Sequence, residues 1–191
     1  MKVVAFNGSA RKEGNTKLAL ETALAELRAE GMDTELISLA GKKLHGCRAC
    51  FKCFENKDRR CALNDDEANN LIAKMLEADG IIIGSPVYFA SLTTETKALI
   101  DRAGIVAKGN GEMFSRKVGA SIAVARRAGA VSTFDEINRF FFISGMIVPG
   151  STYWNIGIAL APGDVQKDEE GMETFRNLGR NMAWLLKKIH A

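Results

Sequence analysis

The chain has 191 residues, 47% of them hydrophobic and 26% charged, with 3 prolines, which excludes disordered and collagen-like classes and suits one globular domain over 1–191. A domain of this size buries roughly 70% of the surface its unfolded chain exposes, so its core needs no disulfide staples. A net charge of +3 is too mild to point to nucleic acid. No apolar run approaches the ~18 residues of a membrane span, and Met1–Phe6 reads as a strand rather than a signal peptide, so the expected location is cytoplasmic, away from membranes.

Strand and helix signals then alternate. Val3–Phe6 is an apolar strand closed by Asn7-Gly8. A helix follows from about Thr16, with Leu20, Leu24 and Leu27 on one face and Gly31 as its stop. Thr34–Leu39 is a half-polar strand. After a cysteine-rich loop at 42–64, Asn64-Asp65 can cap a helix carrying Leu71, Ile72, Met75 and Leu76. Ile81–Gly84 is the most apolar strand, followed by a loop to Ser91 and a helix over Thr93–Ala103. Val118–Ala125 is the fourth strand. Ser132 and Asp135 resemble a shortened capping box for the next helix, which Gly145 ends. Met146–Tyr153 is the expected fifth strand, and Phe175, Leu178, Met182, Leu185 and Ile189 give the last helix one apolar stripe.

This alternation predicts an α/β protein of three layers, a five-stranded parallel sheet wound on both faces by helices. The all-apolar strands belong in the middle. The half-polar second strand and a fifth strand containing Pro149 suit the edges, which matches the order 2-1-3-4-5 of the flavodoxin-like fold. In such sheets ligands bind beyond the carboxyl ends of the strands, near the switch point between strands 1 and 3. Three loops start there.

The first, Gly8–Thr16, offers helix-N-terminal amides, the hydroxyls of Ser9 and Thr16, the amide of Asn15 and the guanidinium of Arg11, a donor set for a phosphate; the plain alternative is a Gly-rich connection capped by Asn15. It is not a nucleotide P-loop, because Asn15 stands where the lysine belongs. The second, Ser85-Pro86-Val87-Tyr88-Phe89-Ala90-Ser91, carries two adjacent aromatics that suit a planar ligand or another subunit, unless they pack under the following helix. The third, Ala125–Ala130, holds Arg126 and Arg127 in a small-residue turn that lets backbone approach a flat ring; solvated surface arginines are the alternative.

Gly8-Ser9-x-Arg11 with Gly14-Asn15-Thr16, then Ser85-Pro86-Val87-Tyr88 and Lys97-x-x-x-Asp101-Arg102, resembles the NADPH-dependent FMN reductase branch of the flavodoxin-like superfamily over most of the chain. The resemblance implies that Ser9, Arg11, Asn15 and Thr16 hold the FMN phosphate. It places Pro86, Val87, Tyr88, Phe89 and Ser91 along the isoalloxazine, and Ala125, Arg126 and Gly129 at the ring's other edge. The sequence departs from that family at Phe89-Ala90, where Trp-Gly is frequent, and in a third loop poorer in glycine. Lys97, Asp101 and Arg102 read as structural charge pairing on an exposed helix.

All four cysteines lie in Cys47-x2-Cys50-x2-Cys53-x7-Cys61, within a stretch of seven cations against Glu55 and Asp58. Four soft thiolates suit zinc or an iron–sulfur cluster, and empty reduced thiols are the third possibility. Structural zinc usually takes two separated pairs, whereas three cysteines at intervals of three resemble the turn around a cubane; the fourth departs from ferredoxin spacing. The local positive charge would offset an anionic cluster.

The motif, set after the second strand, is similar to that of the iron–sulfur flavoproteins. That resemblance implies a [4Fe-4S] cluster passing single electrons to FMN, often across a subunit interface in a homodimer or homotetramer. The expected function is an FMN-dependent oxidoreductase exchanging electrons with a ferredoxin-like redox protein drawn to Lys42–Arg60, or with a small-molecule acceptor. The alternatives are an NAD(P)H-dependent FMN or quinone reductase without a cluster, and a non-catalytic FMN-binding module with a zinc or thiol-switch loop. No proton-transfer residue stands out as catalytic.

Overall fold

The computed structural model describes residues 1–191. Its elements in chain order are β1 Lys2–Asn7, α1 Asn15–Ala29, β2 Asp33–Ser38, α2 Lys52–Asn56, α3 Ala68–Glu77, β3 Gly80–Pro86, α4 Thr94–Gly109, β4 Val118–Ala125, α5 Ala130–Ile143, β5 Ile156–Ile158 and α6 Glu169–Ile189, with a 3₁₀ turn at Asp164–Lys167 before α6. All strand pairings are parallel and the order is β2-β1-β3-β4-β5, so the flavodoxin-like architecture is present as read from the sequence. No helix is long and apolar enough to cross a membrane.

Strand alternation sorts the core into two layers. Val4, Phe6, Ile81 and Ile83 face Leu71, Leu99, Phe114 and Phe141 on the α3–α5 side. Val3, Ala5, Ile82 and Ala120 face Leu20, Leu24, Phe175 and Met182 of α1 and α6. Strands buried on both faces must be apolar throughout, which is why β1, β3 and β4 read as continuous hydrophobic runs. In β2 no residue is fully buried, as befits an edge.

The fifth strand departs from the expected Met146–Tyr153. Ile147 makes only an isolated bridge to Val118, and the chain then swings away from the sheet. Pro149 has no amide to donate and Gly150 holds no strand geometry, so the ladder resumes only where Asn155 accepts from the Ala123 amide. Tyr153 and Trp154 are left exposed on the excursion. Helix α5 also starts earlier than the Ser132/Asp135 reading, at Ala130, with Gly129 as its cap in the left-handed region. Neither Asn64 nor Asp65 caps α3; Asp66 takes the Ala68 amide at 3.1 Å.

Candidate functional site

The carboxyl ends of β1, β3 and β4 open into the three loops singled out above. In the first, Asn7 Oδ1 accepts from the Ser9 amide at 3.1 Å and Ser9 Oγ accepts from the Arg11 amide at 3.1 Å, curling the chain back on itself. Gly14, the N-cap of α1, supplies no side chain, and the amides of Asn15, Thr16 and Lys17 have no acceptor within the chain. Unpaired amides at the positive end of a helix make a ready anion site. Ser9 and Thr16 are buried in this turn, Arg11 is exposed beside it, and Asn7 Nδ2 is buried without a partner.

The Asn15 side chain is engaged elsewhere. It donates to Ala161 O at 2.8 Å and accepts from the amides of Gly163 and Val165 at 2.9 and 3.2 Å. It therefore tethers the 161–165 segment as a rim of the site, and what it offers an anion is its backbone N–H.

The second loop is welded to the first. Gly8 donates its amide to Gly84 O at 2.8 Å, Thr93 Oγ1 donates to Gly8 O at 2.8 Å, and the Thr93 amide donates to Ser85 Oγ at 3.1 Å. Thr93 also caps α4, accepting from the Thr96 amide. Tyr88 and Ser91 exchange both backbone bonds, with Phe89 at φ 51° and Ala90 at φ 61° between them. This is a primed turn built from non-glycine residues, a conformation that costs about 1–2 kcal/mol per residue. It holds Phe89 wholly in solvent and Tyr88 half exposed, so the aromatics do not pack under α4. Ser91 Oγ donates to Glu136 Oε2 at 2.7 Å and the Leu92 amide to the same oxygen at 3.2 Å, so α5 anchors the turn's far side.

Gly129 brings the third loop against the second. Its φ is +82°, and a Cβ there would lie 2.9 Å from Ala90 Cα and 3.0 Å from Val87 Cγ1. Only glycine permits that approach. Ala125 is buried and accepts from the Ala159 amide at 2.8 Å, while Arg126 and Arg127 are exposed and free of ion pairs. Thr93, Thr96 and Glu136, which hold these loops, escaped the sequence reading; the cap position of Thr93 before a helix was the one available signal.

The four thiols lie on the cysteine-rich segment between β2 and α3. All are free, Cys47 and Cys50 exposed and Cys53 and Cys61 buried. Left-handed residues at Ala49 and Phe51 wind the chain around them, ahead of the short helix α2. Burial pushes the Cys53 thiol up, and the neighbouring Cys61, Cys47 and Cys50 push it further. The sole group of three donors within 4.8 Å of one another is His45, Asp65 and Asp66, so no three sulfurs are packed that closely. Asn69 grips the backbone at Cys61, accepting its amide at 2.7 Å and donating to its carbonyl at 2.9 Å.

Arg102 departs most from its sequence reading. Lys97 and Asp101 do form an exposed ion pair one turn apart, but Arg102 points inward and is wholly buried. It forks onto Asp66, with Nη1 to Oδ2 at 2.7 Å and Nη2 to Oδ1 at 3.3 Å, and Nε donates to Cys61 Sγ at 3.1 Å. Burial would raise the Asp66 carboxyl, but the Arg102 bond and the amides of His45 and Ala68 outweigh it and hold the group below the usual carboxylate range.

Comparison with known proteins places this arrangement. The chain is 42% identical over 196 residues to an iron–sulfur flavoprotein of Methanocaldococcus jannaschii, covering 99% of each chain. It is 30% identical over 191 residues to an iron–sulfur flavoprotein of Methanosarcina thermophila, covering 99% of this chain and 97% of that one. Among solved structures, RosB with a bound formylriboflavin phosphate intermediate superposes with a TM-score of 0.80 at 17% identity, over 100% of this chain and 80% of that one. An archaeal flavodoxin superposes with a TM-score of 0.63 at 18% identity, over 98% and 99%. The model of the NADPH-dependent FMN reductase family matches residues 1–161. With its five-stranded sheet and welded loops, the chain belongs to the NADPH-dependent FMN reductase family and is a flavin-dependent oxidoreductase.

Proposed function

We propose that this oxidoreductase seats FMN in the three loops, carries a [4Fe-4S] cluster on Cys47, Cys50, Cys53 and Cys61, and relays electrons between the two and a redox partner. The observation that carries the reading is the grouping of four free thiols, Cys47, Cys50 and Cys53 on one loop and Cys61 on the return of the same segment, in a chain 42% identical to an iron–sulfur flavoprotein.

When bound, FMN and the cluster supply the redox chemistry, taking electrons in pairs or singly. The chain provides position and access. The free amides at the start of α1, with Ser9, Arg11 and Thr16, hold the phosphate. The backbone of Pro86–Ser91 and the faces of Tyr88 and Phe89 support the ring, and the close approach at Gly129 lets Ala125 and Arg126 border its other edge.

The basic stretch from Lys42 to Arg60, exposed at Lys43, Arg48, Lys52, Lys57, Arg59 and Arg60, suits an acidic ferredoxin-like protein, with NAD(P)H or a small acceptor as the other exchange partner. Assembly into a homodimer or homotetramer would cover an exposed apolar groove of about 800 Å³ lined by Phe134, Phe142, Pro149 and Trp154. A cytoplasmic setting keeps the thiols reduced.

The test is anaerobic purification with absorption, metal and sulfide analysis. We expect flavin bands with a broad visible shoulder, and about four iron and about four sulfide per chain. Cys50→Ala should lose the iron and ferredoxin-linked turnover while keeping FMN. One zinc per chain without sulfide would overturn the relay and leave the cluster-free reductase or the binding module.

A further inference from the structure

We infer that Arg102 is a positioning residue for the thiol centre: it clasps both flanks of the cysteine segment onto α4 and, through its bond to the Cys61 sulfur, raises the centre's reduction potential. This rests on the reading that the four thiols hold an iron–sulfur cluster.

The guanidinium is wholly buried, an arrangement that is costly unless every donor is met. Every donor is. Two go to Asp66, Nη1 also donates to His45 O at 3.0 Å, Nη2 also donates to Leu63 O at 2.9 Å, and Nε takes Cys61 Sγ at 3.1 Å. His45 lies just before Cys47 and Leu63 just after Cys61, so one side chain pins the segment at both ends. Asp66 neutralises and orients the fork, which leaves Nε–H directed at the sulfur.

That last bond has no structural necessity, since any carbonyl would satisfy Nε. On a neutral thiol it is weak; on a metal-bound thiolate it is charge-assisted. Hydrogen bonds to the sulfurs of a cluster stabilise the more negative, reduced state and so raise its potential. Cys61 alone meets a cationic donor: Cys47 Sγ accepts from the neutral Ala49 amide and Cys53 Sγ reaches Ile105 O. Lys108, a cation on the same helix α4 paired only with Glu112 at the surface, supplies a control that alters charge on that helix but touches no sulfur.

The clasp also has reach. Arg102 sits on the helix capped by Thr93, whose hydroxyl holds Gly8 O in the first loop, so the thiol centre and the proposed phosphate turn are mounted on one rigid element.

The experiment is a redox titration of anaerobic wild-type, Arg102→Lys and Lys108→Gln proteins, followed by electron paramagnetic resonance. Lysine keeps the charge and loses the fork. We expect Arg102→Lys to retain iron, sulfide and FMN but to lower the equilibrium constant for cluster reduction at least tenfold, about 59 mV for a one-electron couple, while Lys108→Gln shifts it less than twofold. A loaded Arg102→Lys protein within twofold of wild type would overturn the inference and leave only a clasp.

Should Arg102→Lys fail to fold, wild-type protein carrying guanidino-¹⁵N arginine decides. A ¹⁵N hyperfine coupling to the reduced cluster is expected, and its absence refutes the sulfur contact. Wild-type protein with neither iron nor sulfide refutes the cluster reading itself, a result distinct from either of these.

Discussion

Gly8→Ala tests whether the first two loops are one welded unit. A Cβ at Gly8 would lie 2.0 Å from Thr96 Oγ1, 3.0 Å from Gly84 O and 3.3 Å from Thr93 Oγ1. Thr96 is wholly buried and Thr93 nearly so, so neither hydroxyl has room to swing away. The clash therefore breaks the Thr93–Thr96 hydroxyl bond and the Thr93 bond to Gly8 O, both 2.8 Å.

Each broken bond costs about 1 kcal/mol and overpacking adds about 1–3 kcal/mol. The loss should come to about 3–5 kcal/mol, out of ~5–15 kcal/mol for a whole domain. Urea denaturation of the apo-protein reads the stability, and FMN titration should show affinity at least ~10-fold weaker as the first loop shifts. In the double variant Gly8→Ala with Thr96→Ala the closest clash is gone, so it should be ~1–2 kcal/mol more stable than the two single effects predict. A Gly8→Ala protein with the wild-type urea midpoint and wild-type FMN affinity would refute the weld.

Asn15→Ala should cost about 1–3 kcal/mol, because it strands the amides of Gly163 and Val165. The ratio of FMN to riboflavin affinity should not change; a tenfold fall would show that the side chain itself meets the phosphate. Ala90→Gly removes a left-handed alanine and should stabilise by ~1 kcal/mol in thermal unfolding, whereas destabilisation would show that the added freedom of glycine in the unfolded chain matters more. Because the Asp66 carboxyl is held below its ordinary value, the folded state binds its proton less readily than the unfolded chain. Its contribution is thus complete above the unfolded aspartate value of about 3.9 and is lost as pH falls through the lower folded value. Hydrogen exchange over 42–66 should accelerate in that acid window, with little dependence on salt since the pair is buried; Asp66→Asn should abolish the acid step.

The elements most readable from the residues were those whose side chains answer to one local rule. Strands buried on both faces must be apolar at every position, and Val3–Phe6 and Ile81–Ile83 are; an edge strand tolerates polar residues, and Thr34–Ser38 carries them. The fifth strand misled because Met146–Val148 is more apolar than Ile156–Ile158, which has a glycine at its centre, yet what decides pairing is which backbone amides face β4. The aromatics of Tyr88 and Phe89 were legible as exposed, but not the left-handed turn that exposes them without glycine. In that turn Glu136, 45 residues along the chain, supplies the restraint.

Arg102 shows the boundary most clearly. Its place on a helix beside Lys97 and Asp101 suggested a surface charge, and nothing nearby in the chain says otherwise. Its partners lie 36 to 57 residues away, brought to it only when the cysteine segment folds back over α4. The order of the sheet, the glycine-rich turn before α1 and the grouping of four thiols followed from the amino-acid sequence alone, because apolar periodicity, turn chemistry and ligand spacing act over short stretches of chain. Which buried cation meets which sulfur, and which hydroxyl joins one loop to the next, depended on the packed molecule, because such bonds form only between groups that long-range burial has already stripped of water.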